Sequence, residues 1–165
     1  MPTALVTGVA GFIGSNLADT LLNRGYDVHG VDNFATGREQ NLEPLRDAAR
    51  FSFEEADIRD ADAMSNATED VDYVFHQAAV PSVPRSVDDP VTTTDANCTG
   101  TATVIDAARN ADVDTVVVAS SSSVYGTTEQ LPKVESMTEQ PESPYALSKY
   151  YTEKLTLQAS ELYDI

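Results

Sequence analysis

The chain has no tryptophan, a single cysteine, and only three lysines among its ten basic residues. Cys98 alone excludes an internal disulfide and any cysteine-rich metal site, and it reads as a small buried hydrophobe. No apolar run approaches the ~20 residues that a membrane-spanning helix needs; Val116–Ala119 is typical of the longest. Met1–Thr7 lacks the charged segment and long apolar stretch of a secretory leader. These absences predict a cytoplasmic protein. Positive charge is scarce, with ten Lys and Arg against 27 Asp and Glu, a formal charge of −17. Such a balance repels polyphosphate backbones, so nucleic acid is not an expected partner. The acidic residues are spread along the chain instead of gathered in a tail. They read as a solvated surface suited to a high-salt cytoplasm, where screening removes most self-repulsion. The two histidines, His29 and His76, are isolated, and a structural role near a strand end is expected of each.

What is present is the patterning of one sizeable core: 165 residues, 41% of them hydrophobic, with no repeat or low-complexity linker. A single domain, 1–165, is expected. Short β-branched runs alternate with longer stretches of helical period, the pattern of a parallel α/β sheet covered by helices on both faces. The strands are predicted at Thr3–Thr7, Asp27–Asp32, Phe51–Glu55, Tyr73–Gln77 and Thr115–Ala119. Helices are predicted at Phe12–Arg24, Asn41–Arg50, Asp60–Asn66 and Thr94–Asn110. A last helix should begin at Pro144 with Ser143 as its N-cap. The sequence stops in or just after that helix, where a doubly wound sheet usually goes on to a sixth strand, so it reads as a fragment or a truncated copy.

Three features point to chemistry. Gly8-Val9-Ala10-Gly11-Phe12-Ile13-Gly14 follows the first strand and opens the first helix. Glycines there let the backbone turn tightly and approach a pyrophosphate, which the helix N-terminus attracts; strand–helix packing alone is the plainer alternative. Asp32 ends the second strand, 18 residues past Gly14. This is close to the ~20 expected of an acid that holds the adenosine ribose and repels a 2′-phosphate, which favours NAD over NADP. Arg38 lies nearby, and a polar turn with Asn33 is the bland reading of Asp32. Tyr145 and Lys149 sit four apart on the last helix and so face one side. Alone, such a pair reads as a solvated Lys beside a half-buried Tyr. Here it follows a strand ending in Ala119-Ser120-Ser121-Ser122-Ser123-Val124-Tyr125-Gly126, hydroxyls at the carboxyl end of a parallel strand; a polar turn is the alternative. A phenol ordinarily titrates near pH ~10; a neighbouring ammonium favours the phenolate, and a serine hydroxyl can hold the substrate hydroxyl in place.

Taken together, the glycine turn, Asp32-Asn33-Phe34-Ala35-Thr36-Gly37, Asp57-Ile58, His76-Gln77-Ala78-Ala79, Asn97, the serine run and Tyr145/Lys149 resemble, in order, the extended short-chain dehydrogenases/reductases of the NAD-dependent epimerase/dehydratase family. The resemblance covers essentially the whole chain. It implies a Rossmann-type doubly wound sheet whose C-terminal substrate part is missing, and NAD as cofactor. The cofactor contacts it implies fall on Gly8, Gly11, Phe12, Ile13, Gly14, Asp32, Asn33, Thr36, Gly37, Asp57, Ile58, Gln77, Ala78, Ala79, Val80, Asn97, Tyr145 and Lys149. It further implies Tyr145, Lys149 and Ser121 as catalytic, and Ser82, Ser121, Ser122, Ser123 and Tyr145 as substrate contacts, with no metal.

Within the family, His76–Ser86, Ser121–Ser123 and Leu131–Glu135 look most like UDP-glucose and UDP-N-acetylglucosamine 4-epimerases. Dehydratases of the family place an Asp-Glu pair after the catalytic Ser/Thr, and related decarboxylases keep an acid there; this chain has Ser122-Ser123. A UDP-sugar is therefore the implied substrate. A homodimer through the helices near 94–110 and 144–163 is implied as well, with Val104, Ala107, Ala108 and Leu155 as candidate contacts, although burial on the sheet would explain the same apolar positions. The competing class is a non-catalytic NAD- or nucleotide-binding module, since fold does not guarantee chemistry.

Overall fold

In the computed structural model, which describes residues 1–163 and 165, five strands form one parallel sheet in the order β3-β2-β1-β4-β5. They are β1 (Thr3–Thr7), β2 (Asp27–Asp32), β3 (Phe51–Glu55), β4 (Tyr73–His76) and β5 (Thr115–Val118). The two-residue side-chain period of β1 divides the core. Ala4 and Val6 face one layer with Leu21, Leu22, Val28 and Leu45, while Leu5 faces the other with Val31, Val74 and Val104. Both layers are dry, as a strand covered on both faces requires. The chain leaves β3 and crosses back over β1 to lay down β4, so the order reverses between β1 and β4; ligands bind outside the carboxyl ends of strands at such a switch point.

The helices α1 (Phe12–Asn23), α3 (Ala61–Ala67) and α7 (Pro144–Tyr163) fall where the sequence places them. Asp60 caps α3 by accepting from Asp62 N and Ala63 N at 3.0 and 3.1 Å, and Ser143 Oγ accepts from Ala146 N at 3.1 Å at the start of α7. The second helix is much shorter than expected: a 3₁₀ turn at Glu39–Asn41 and then α2, Glu43–Arg46. Pro44 can begin a helix but not extend one upstream, and only Leu42 and Leu45 need burial there. Two short helices stand where the sequence pattern predicts none, α4 (Val83–Asp88) and α5 (Pro90–Thr94). Each carries a start signal, Ser82 and Asp89 as N-caps with a proline in the first turn. The predicted helix over 94–110 is a composite of α5, a π-helical turn at Asp95–Thr99, and α6 (Gly100–Asn110). Val104, Ala107 and Ala108 are at most 7% exposed and pack into the core. Burial on the sheet, not a subunit contact, therefore explains them. On α7, Leu155 is half-buried, and the exposed apolar side chains are Leu147, Tyr151, Leu157, Leu162 and Tyr163. No helix of the described residues is long and apolar enough to cross a membrane.

Candidate functional site

A cleft of about 410 Å³ opens at the carboxyl ends of the strands, running from Asp32 and Asp57 past the glycine turn to Tyr145 and Lys149. Its floor is the β1–α1 turn. Gly8 has φ +70, and a Cβ there would come within 2.7 Å of Ala78 N. A Cβ on Gly14 would collide with the Gly8 carbonyl, and Gly11 N donates to that same oxygen at 3.0 Å. The turn is thus closed to side chains and its backbone faces the cleft. No side chain caps α1, whose N-cap is Gly11, and no acid lies in its first turn. Its first N–H groups and the positive end of its dipole are therefore free for an anion. Phe12 and Ile13 are 81% and 63% exposed beside it, apolar surface left at the mouth of the cleft.

Asp32, 8% exposed, accepts from Ala10 N at 3.0 Å and from Phe34 N at 2.8 Å. Burial pushes its carboxyl above the usual range while backbone N–H groups of Phe34, Ala10 and Asn33 pull it back. Both oxygens retain a lone-pair position for further donors, as a ribose diol would need. Asn33, Thr36, Asp57 and Ile58 line the same end, and Gln77, Ala78, Ala79 and Val80 line the middle. Two of the expected cofactor residues lie behind the lining. Gly37 backs the Asp32 carboxylate, which a Cβ would meet at 2.8 Å. Asn97, 1% exposed, accepts from Val80 N at 2.7 Å and donates to Ser148 Oγ at 2.9 Å, and so holds two walls of the cleft from the rear.

At the other end Tyr145 is half-buried and Lys149 is 4% exposed. Every fully buried side-chain polar atom described is hydrogen-bonded. Among the described residues no acceptor is bonded to Lys149 Nζ, so its ammonium opens onto the cleft it lines. Burial lowers its pKa to about 8, which leaves it mostly protonated at neutral pH. Behind it His76 is buried between Thr7 Oγ1 (2.7 Å) and Thr101 Oγ1 (3.0 Å). Burial first, and the Lys149 charge second, lower the imidazole pKa to about 3. Thr101 Oγ1 donates to Asn97 O at 2.6 Å, so it accepts from His76 Nε2–H, and Nδ1 accepts from Thr7.

Ser121, Ser122, Ser123 and Ser82 are not in the lining. Ser121 caps a 3₁₀ turn at Ser122–Tyr125, accepting from Ser123 N at 3.2 Å and Ser123 Oγ at 2.8 Å. Its own proton is left for another acceptor. Ser82 Oγ accepts from Arg85 N at 3.2 Å at the cap of α4. Of the serine run it is Ser120 that lines the cleft, and it donates to Glu153 Oε2 at 2.8 Å. Ser120, Arg59 and Arg85 line the cleft without having been singled out from sequence. Position just past β3 and β5 was the available signal for Arg59 and Ser120, and Arg85 had none beyond its neighbour Ser82.

A switch-point cleft with a side-chain-free turn, an uncapped helix and an acid at the end of β2 defines a dinucleotide-binding α/β fold. Residues 4–165 match the NAD dependent epimerase/dehydratase family, and the chain belongs to that family. It is 45% identical over 163 residues to a UDP-glucose 4-epimerase of Mycolicibacterium smegmatis, an alignment covering 98% of this chain and 52% of that protein. A UDP-N-acetylglucosamine 4-epimerase from Methanobrevibacter ruminantium, solved with UDP-N-acetylmuramic acid, superposes with TM-score 0.91 and 34% identity over 99% of this chain and 52% of that one. A dTDP-glucose 4,6-dehydratase from Streptomyces venezuelae with NAD bound gives TM-score 0.94 and 34% identity over 99% and 53% of the two chains. The chain spans about half the length of the relatives it matches.

Proposed function

We propose that the cleft holds NAD and that the protein is a UDP-hexose 4-epimerase, in which Tyr145 acts as the base in a reversible oxidation at the sugar's C4. The observation that carries this reading is Lys149. Burying an ammonium without a protein partner is costly, and Lys149 lines the cleft of the glycine turn together with Tyr145, where a cation favours the phenolate that a proton acceptor must become. The residues fit the cofactor: the bare turn and the α1 N-terminus would take its pyrophosphate, and Asp32 its adenosine ribose. Bound there, NAD supplies a reversible hydride acceptor for the sugar.

The chain's own residues do the rest. Tyr145 takes the proton of the 4-hydroxyl, and the Lys149 cation stabilises the negative charge that Tyr145 carries when it acts. Ser121 has a hydroxyl proton to offer the sugar oxygen, because Ser123 fills its acceptor positions. A bound hydride carrier would invert C4 by returning hydride to the opposite face of a flat 4-keto sugar. Epimerisation is favoured over dehydration because Ser122 and Ser123 carry no acid to expel water; the carboxylate that does meet the serine run, Glu153, is bonded to Ser120. We place the protein in a high-salt cytoplasm on its acidic composition, and as a homodimer on the exposed apolar side chains of α7. A strictly monomeric protein in light scattering would refute the dimer. Calorimetry tests the cofactor: NAD should bind more tightly than NADP, and Asp32→Ala should narrow the gap. Equal affinities in the parent protein would overturn the assignment.

A further inference from the structure

The three lysines of the chain are used in three ways. Lys149 opens onto the cleft, and Lys154 pairs with Glu139 and Glu153. Lys133, half-buried in the Leu131–Glu135 stretch outside the cleft lining, reaches main-chain oxygens instead. Its Nζ donates to Ser122 O at 3.2 Å and to Gly126 O at 3.1 Å. Among the described residues no carboxylate stands within ion-pair distance of it, in a chain with 27 Asp and Glu. The two carbonyls belong to the first residue of the 3₁₀ turn Ser122–Tyr125 and to the residue that ends it, so one ammonium ties the two ends of the turn together.

The Ser122 carbonyl and the Ser123 N–H are the two ends of one planar peptide unit and point in opposite directions. That N–H donates to Ser121 Oγ at 3.2 Å. Lys133 therefore grips the oxygen end of the same plane whose hydrogen end holds Ser121. Fixing the oxygen keeps the plane from turning, and a cation on the carbonyl polarises the unit and strengthens its N–H as a donor. We propose that Lys133 is a positioning residue for Ser121. By holding the Ser122–Ser123 peptide it keeps the Ser121 acceptor positions filled from within the turn, which leaves the Ser121 proton free for the sugar oxygen. This rests on the reading of Ser121 as the hydroxyl that meets the sugar.

A lysine on a loose loop would lose too much freedom to act this way. Here the segment that carries it is tied down on both sides. Gln140 N donates to Val124 O at 2.8 Å, and Glu142 Oε2 accepts from Thr127 N at 3.2 Å and Thr127 Oγ1 at 2.7 Å, so residues 127–142 close back on the serine turn. Glu139 accepts from Lys154 Nζ at 2.6 Å, which fastens the same segment to the helix of Tyr145 and Lys149. Lys133 is thus presented from a fixed backbone. A neutral, apolar side chain in its place would leave Ser122 O and Gly126 O to water, which does not tie them to each other.

The test is a double-mutant cycle on turnover of UDP-glucose by the full-length protein. Lys133→Met should lower kcat about tenfold, within the ~10²-fold that a misplacement of an ångström can cost. NAD affinity and the KM for the sugar should move by less than about twofold, as for a group that acts only in the transition state. In the Ser121→Ala background the same substitution should change kcat by less than about twofold, because no hydroxyl is left to position. Lys133→Arg, whose guanidinium can bridge the two carbonyls, should restore most of the rate. Set against the neutral Lys133→Gln, it decides the matter if Lys133→Met does not fold. An unchanged kcat in Lys133→Met, an equal loss with and without the Ser121 hydroxyl, or an arginine variant as slow as the neutral ones would overturn the proposal and leave the epimerase reading standing. A Ser121→Ala protein as fast as the parent would remove the role given to Ser121 and this proposal with it.

Discussion

Asn97 Nδ2 donates to Ser148 Oγ at 2.9 Å, which joins the π-helical turn to the helix that carries Tyr145 and Lys149. Ser148 Oγ in turn donates to Tyr145 O at 2.8 Å, and Asn97 Oδ1 takes Val80 N at 2.7 Å. One buried amide thus fixes the middle of the cleft and its Tyr145 end. Asn97→Ala leaves Val80 N–H unpaired in the interior, a cost of about 1–3 kcal/mol. Urea unfolding should show that loss, and a change below about 0.5 kcal/mol, the size of ordinary surface effects, would contradict it.

Gly8 and Gly25 separate backbone strain from cofactor contact. Both have positive φ, +70 and +92, but a Cβ at Gly8 meets Ala78 N at 2.7 Å whereas one at Gly25 has only the Arg50 side chain at 3.6 Å. Alanine at either position should cost roughly 1–3 kcal/mol of stability from the left-handed backbone. Only Gly8→Ala should also weaken NAD binding, since its neighbour is the cleft wall. Equal NAD affinities for the two variants would contradict the placement of the turn.

The pH dependence of stability follows from two buried bases. His76 has a folded pKa of about 3 against an ordinary 6.5. Between those values the unfolded chain binds a proton that the folded one does not. Stability is therefore lost as pH falls from about 6.5 toward about 3. For Lys149, at about 8 against an ordinary 10.5, the same sign holds in the alkaline window, so stability rises from about pH 8 to 10.5. Unfolding free energies measured across pH should show both slopes. His76→Gln should flatten the acid limb and Lys149→Met the alkaline one; variants with unchanged slopes would show that the two bases do not titrate as their burial demands.

Tyr145→Phe keeps the ring and removes the proton acceptor. NAD should bind as before, while epimerisation falls ~10²–10⁴-fold, the usual contribution of a positioned acid–base group. Lys149→Met and Ser121→Ala should also slow turnover, the latter with little change in NAD affinity. A Tyr145→Phe protein as fast as the parent would leave the cleft with a binding role alone.

The sheet was legible because the strands other than β3 carry β-branched residues and β3 alternates Phe51 and Phe53 with polar side chains: Thr3–Thr7, Asp27–Asp32 and Phe51–Glu55 match to the residue. The floor of the cleft was legible because Gly8, Gly11 and Gly14 act through the backbone, where sequence position and spatial position coincide. Less could be read where side chains meet across elements. Nothing in the spacing of Arg59, Asp57 and Asp95 announces that one guanidinium spans two carboxylates 38 residues apart. The split of the 94–110 helix depends on Asn97 and Thr101 finding partners on β4 and α7, and Gly100 admits Ile58 where a Cβ would clash. The α4 and α5 starts are written in Ser82 and Asp89, each an N-cap with a proline in the first turn, but the helices they open are too short to show a helical period.

The central claim is reversible inversion at C4, and proton NMR of the protein incubated with UDP-glucose tests it most directly. The account predicts that UDP-galactose anomeric signals grow to an equilibrium mixture reached equally from UDP-galactose, with no net consumption of NAD. A methyl signal from a 4-keto-6-deoxy product, or no interconversion of any UDP-hexose, would contradict it.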